Sequence, residues 1–153
     1  MLTYIDNMKY ILSFDGACEP VNPGGVATYG YTITYENGER KGYHGVIGEG
    51  NGMTSNVAEY GALIKGLQRL SLIVVHNDEI LIQGDSQLII YQMIGKYKVN
   101  AENLKPLHAK AKKLFDYLKS KDVIIDYKWI NREENVEADR LSKLADKHYV
   151  KKI

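Results

Sequence analysis

The feature that most limits how this chain can fold is a change of period about a third of the way along it. Before that point the residues keep a strand rhythm. Met8 to Phe14 alternates, Ala27 to Tyr35 is dense in Tyr and Thr, which suit a pleated surface, and a third run covers Arg40 to Ile47. Asn37-Gly38, between the second and third runs, is a strong hairpin signal. Asp15-Gly16 reads as the end of the first strand, and Glu19 to Gly25, with two Pro and two Gly, as a loop. After Asn56 the period becomes helical. Val57, Gly61, Ile64 and Leu67 share one side, and Ala58, Ala62, Leu63 and Leu70 widen it. A short apolar strand, Glu79 to Gln83, is stopped by Gly84-Asp85 and followed by a helix from Gln87 to about Ile94. Leu104, Leu107, Ala111, Leu114 and Leu118 mark a longer helix, Val123 to Ile130 a fifth strand, and Glu134 to about Lys147 a last helix. The order βββαβααβα implies an α/β fold with a five-stranded mixed sheet, antiparallel first and parallel later, flanked by helices.

A chain of 153 residues has room for one domain, with its core at about 8–147 and a tail at 148–153. With 44% hydrophobic and 25% charged residues it is neither disordered nor low-complexity. It has no apolar run near the ~18 residues of a membrane span. Met1 to Tyr10 carries Asp6 and lacks the apolar stretch of a signal peptide. A cytoplasmic monomer with no membrane partner is the expectation. Cys18 stands alone, so neither a disulfide nor a zinc site can be built on it, and the four histidines are dispersed. Net charge is +1, yet Lys96 to Lys121 holds eight lysines against Glu102 and Asp116, a local +6 that leaves −5 for the rest. That split fits one face for a polyanion and another rich in carboxylates. Taken alone, it fits a solvated helix face better.

Four carboxylates stand where one element gives way to the next: Asp15, Glu59, Asp85 and Asp139. If the first and fourth strands are parallel neighbours, Asp15 and Asp85 meet at their carboxyl ends, where open α/β sheets gather ligands. Two carboxylates that close need a cation or a shared proton, and all-oxygen ligation suits Mg2+ or Mn2+. Each residue also has a plain structural reading. Asp15-Gly16 and Gly84-Asp85 suit turns. Glu59, three positions after Asn56, suits a capping box, and Asp139 suits the positive end of a helix.

Read together with their neighbours, the acids become specific. Asp15-Gly16-Ala17-Cys18, Asn22-Pro23-Gly24, Thr54-Ser55-Asn56-Val57-Ala58-Glu59, Gly84-Asp85-Ser86-Gln87 and Arg132 to Asp139 follow one another in an order that resembles the type 1 ribonuclease H family. The resemblance spans Met8 to Lys147 and implies the ribonuclease H fold. It also implies hydrolysis of the RNA strand of RNA/DNA hybrids, leaving 3′-hydroxyl and 5′-phosphate ends, with double-stranded RNA an open second substrate. By the same resemblance Asp15, Glu59, Asp85 and Asp139 hold two Mg2+ ions, with Mn2+ able to substitute. The 2′-hydroxyl falls to the backbone of Ala17 and Cys18 and the side chains of Asn22, Asn56 and Gln87, and the DNA phosphate to Thr54 and Ser55.

Three departures from the family pattern stand out. The loop Glu19-Pro20-Val21 before Asn22 is one residue longer than usual, which unsettles the register of Asn22. The segment Trp129 to Glu134 is short and lacks the histidine of many relatives, so that Arg132 either engages the phosphate in its place or is a surface charge. The basic protrusion is reduced to Gly95-Lys96-Tyr97-Lys98, which leaves the grip on substrate to Lys96, Lys98 and the helix after them, weak and salt-sensitive. A non-cleaving hybrid-binding module and a resolvase-like nuclease on the same fold are the competing readings.

Overall fold

The computed structural model describes residues 7–144. The strands are β1 (Lys9–Glu19), β2 (Val26–Tyr35), β3 (Arg40–Glu49), β4 (Glu79–Gly84) and β5 (Ile124–Trp129). The helices are α1 (Ser55–Ile73), α2 (Gln87–Ile94), α3 (Lys105–Ser120) and, after a 3-10 turn at Arg132–Glu134, α4 (Val136–Ser142). They build one five-stranded sheet in the order β3-β2-β1-β4-β5. The first three strands are antiparallel, and β1-β4 and β4-β5 are parallel, as the element order requires. The tail at 148–153 and the predicted end of the last helix lie outside the described residues. Among the described residues no helix is long and apolar enough to cross a membrane.

The core lies between one face of the sheet and α1. Leu12, Phe14, Ile33, Ile80 and Ile82 of the strands meet Tyr60, Leu63, Leu67 and Leu70 of α1, all fully buried or nearly so. Alternation along β1 sends Leu12 and Phe14 to this face and Ser13 and Asp15 to the other, where α4 packs. Two glycines let the helices come close. A Cβ on Gly16 would lie 2.3 Å from the backbone of Ala58 in α1, and one on Gly30 would lie 2.3 Å from the backbone of Ser142 in α4. Gly30 is the cross-strand partner of Asp15. At adjacent positions of β1 and β2, one helix on each face therefore rests directly on the sheet backbone.

Three expectations are corrected. Asp15-Gly16 does not end β1, because β2 goes on pairing with it as far as Glu19↔Val26 and keeps the chain extended. What ends at Phe14↔Gly84 is the pairing of β1 with β4. The cap of α1 is Thr54, whose Oγ1 accepts the Val57 N–H at 3.1 Å, so Asn56 is no cap and Glu59 lies beyond the capping-box position. The last helix begins at Val136 rather than Glu134, because Asn131 and Glu134 close a capping box of their own around the 3-10 turn.

Candidate active site

The parting of β1 and β4 after Phe14 and Gly84 opens a cleft of about 670 Å³ at the carboxyl end of the two strands. Asp15 enters it from β1, Asp85 from the residue after β4, Glu59 from the second turn of α1 and Asp139 from α4. One carboxylate oxygen each from Asp15, Glu59 and Asp85 lies within 4.8 Å of the others. Asp15 is buried and accepts the Gly16 N–H at 2.8 Å. Glu59 is buried, and its Oε2 has no hydrogen-bond partner among the described residues. Asp139, more exposed, lies next to Asp15 and is matched by Lys143 Nζ at 3.3 Å and Arg132 at 3.8 Å.

The electrostatics follow from this crowding. Burial pushes the Asp15 carboxyl up to about 7, and the charge of Asp85 and contact with Asp139 add to the rise, while Glu59 and the Gly16 amide pull it back. Glu59 is raised well above the usual carboxylate range, by burial first and then by Asp15 and Asp85. Asp85 is raised by burial, against the pull of Asn135 and Arg132. Carboxylates this close need a cation or a shared proton to neutralise them. An orphaned buried oxygen, three acids within one ion's reach and an all-oxygen donor set fit a small hard divalent ion.

The other predicted site residues divide into two groups. Ala17, Cys18, Asn22, Ser55 and Arg132 line the cleft. Asn22 and Ser55 clasp each other: the Asn22 amide donates to Ser55 Oγ at 3.0 Å and its Oδ1 accepts the Ser55 N–H at 3.1 Å. That clasp fixes the loop after β1 against the start of α1. Cys18 is buried, its Sγ donating to the carbonyls of Val21 and Met53. Thr54, Asn56, Gln87, Lys96 and Lys98 are not part of the cleft wall. Thr54 caps α1, Gln87 is exposed at the start of α2, and Lys96 and Lys98 are exposed beyond its end, Lys96 lying 5.0 Å over the Tyr91 ring.

Two residues of the site escaped the sequence reading. Lys143 lines the cleft one turn after Asp139, and the i,i+4 spacing of opposite charges was the available signal. Asn135 is buried, and its side-chain N–H group reaches the Phe14 carbonyl at 3.0 Å and Asp85 Oδ1 at 3.5 Å. Nothing in the sequence announces those contacts, since they join residues far apart in the chain.

The model of the reverse transcriptase-like family matches residues 13–145. Among solved structures, the N-terminal RNase H domain of Rv2228c from Mycobacterium tuberculosis superposes with a TM-score of 0.80 at 30% identity, covering 95% of this chain and 99% of that one. LC11-RNase H1 in complex with an RNA/DNA hybrid gives 0.76 at 34% identity, over 92% and 99% of the two chains. RNase H1 from the halophilic archaeon Halobacterium salinarum NRC-1 gives 0.77 at 28%, over 92% and 98%. Among curated proteins, bifunctional protein Rv2228c of Mycobacterium tuberculosis is 36% identical over 89 residues, 58% of this chain and 23% of that protein. The chain thus spans about a quarter of the curated relative's length.

Proposed function

We propose that this chain, which belongs to the reverse transcriptase-like family and has the ribonuclease H fold, is a ribonuclease H that hydrolyses the RNA strand of RNA/DNA hybrids. One observation carries the reading: Asp15, Glu59 and Asp85 bring carboxylate oxygens within 4.8 Å of one another, with Asp139 beside them, where β1 and β4 part. The bound hybrid of a relative 34% identical supports the substrate class. Asp15, Glu59, Asp85 and Asp139 would hold two Mg2+ ions, Mn2+ substituting. When bound, such a pair stabilises both the attacking and the leaving oxygen of an in-line displacement and lowers the pKa of the water.

The chain's own groups do the positioning. The main chain of Ala17 and Cys18 offers the contacts at which a 2′-hydroxyl, donor and acceptor at once, distinguishes RNA from DNA. The Asn22–Ser55 clasp holds that segment in register despite the longer loop. Thr54, Ser55, Asn56 and Gln87 stand at or near the starts of α1 and α2, where the positive end of the helix dipole favours a phosphate. Lys96 and Lys98 supply long-range attraction to the duplex, which salt will screen. Cleavage with departure of the 3′ oxygen leaves 3′-hydroxyl and 5′-phosphate ends. The reaction needs no side-chain nucleophile, so Ser86 and Cys18 are not required as one.

Labelled hybrid, double-stranded RNA and double-stranded DNA, each with Mg2+ or Mn2+, test the reading beside an Asp85→Asn variant. Cutting of the RNA in the hybrid that vanishes in the variant is expected. Binding without cutting would favour a non-cleaving module, and cutting of DNA a resolvase-like enzyme. Arg132 lines the cleft with its side chain 70% exposed and 3.8 Å from Asp139, which supports a role for it at the phosphate. Arg132→Ala should lower turnover roughly tenfold, the worth of one charge-assisted hydrogen bond, with KM for the hybrid little changed. Unchanged turnover in steady-state assays would leave Arg132 a surface charge.

A further inference from the structure

We infer that Asn135 is a positioning residue of the active site, one that sets the spacing of three of its four carboxylates. The inference rests on the metal-binding reading of the site given above. Asn135 sits between the 3-10 turn and α4 and is 2% exposed. Its side-chain amide nitrogen donates to the Phe14 carbonyl at 3.0 Å and leans on Asp85 Oδ1 at 3.5 Å. Its own carbonyl accepts the Asp139 N–H at 3.1 Å. Phe14 precedes Asp15 and is the last β1 residue paired with β4, and Asp85 follows its partner Gly84. A single residue therefore braces the fork at which the two strands part and ties the backbone of the third acid to it.

The orientation of the amide is dictated by its partners. Turned over, it would set its oxygen against a carbonyl and a carboxylate, all acceptors. In the orientation present, Asn135 Oδ1 is buried without a partner among the described residues. A buried polar atom left unpaired is unfavourable, and an apolar side chain of similar size would avoid it. Helix capping does not account for asparagine here either, because its side chain makes no cap hydrogen bond to α4. What the amide supplies is a donor shared by the last β1 carbonyl and a metal-site carboxylate. The Asp85 backbone is held by Trp129 Nε1 on its carbonyl at 3.2 Å, with Ile130 N on the preceding Gly84 carbonyl at 3.0 Å.

Two variants of the full chain test this, Asn135→Leu, which keeps the γ-branched shape and removes the donor, and Asn135→Ser, which is too short to reach Phe14. Mn2+ binding is titrated calorimetrically without nucleic acid, so the result does not depend on whether the chain cuts a hybrid. Melting curves place each titration well below the variant's own midpoint. The expected result is a tenfold or greater weakening of Mn2+ binding in both, with a lower kcat, an unchanged KM for hybrid and partial recovery at high Mg2+. Unchanged metal affinity and kcat in a folded variant, whatever its melting midpoint, would overturn the inference. Failure of both variants to fold would also overturn it, by assigning Asn135 to stability alone.

Discussion

Replacing Asp15 by asparagine is expected to abolish cleavage of the hybrid and, in metal-free buffer at pH 8, to raise the melting temperature. Both effects have one cause. Asp15 is buried among Glu59, Asp85 and Asp139, and its carboxyl is pushed up to about 7. An unfolded chain releases that proton near pH 4. Between about pH 4 and 7 the folded protein holds a proton that the unfolded one has lost, so stability falls as pH rises through that window. Asparagine cannot ionise and escapes the penalty. The gain is on the order of 2–4 kcal/mol at pH 8, roughly 5–10 °C for a chain of this size, and it vanishes at pH 4. Activity should fall on the order of 10³-fold or more, because the residue lost is the one most surrounded by the other acids. Saturating Mg2+ should stabilise the wild type and not the variant. Melting curves at the two pH values, with and without Mg2+, check every part. A variant that melts below the wild type at pH 8, or cuts within tenfold of it, would contradict the account.

The second large effect is expected from a single added methyl group. In Gly16→Ala the new carbon would lie 2.3 Å from the Ala58 carbonyl carbon and 2.4 Å from the Glu59 N, both backbone atoms of α1. The helix has little room to retreat, since Tyr60, Leu63 and Leu67 are fully buried on the same sheet face. Overpacking of this kind costs about 1–3 kcal/mol, and rigid backbone on both sides puts this case at the upper end. Whatever shift α1 does make carries Glu59 with it. A displacement near 1 Å at a catalytic group can cost on the order of 10²-fold in rate. Denaturant unfolding and hybrid cleavage should therefore both deteriorate, and Mn2+ should bind more weakly. Wild-type stability and rate in this variant would show that α1 does not rest on β1 as closely as described.

Much of this fold was legible in the chain because local signals agreed with one another. Asn37-Gly38 sits at the β2–β3 turn, and the alternation in β1 and the stripe from Val57 to Leu70 face the core as their periods require. Boundaries were harder where a partner decides them. Asp15-Gly16 has turn chemistry, yet β2 holds it extended, so tertiary pairing overrides the local preference. Thr54 and Asn56 are both capping types, and only the path of the chain selects Thr54. The four acids could be gathered by their positions at element ends and by the resemblance of the segments around them. The contacts of Asn135 with Phe14 and Asp85, 121 and 50 residues away in sequence, have no local signature and needed the folded chain.

On the proposed reading, four carboxylates from separate elements form one seat for divalent ions. Crystals soaked in Mn2+ and measured at the manganese absorption edge test it most directly. Anomalous peaks are expected about 2.0–2.3 Å from oxygens of Asp15, Glu59 and Asp85, with Asp139 within ligating distance directly or through a water. Peaks elsewhere, or none between Asp15 and Asp85 at saturating Mn2+, would contradict it.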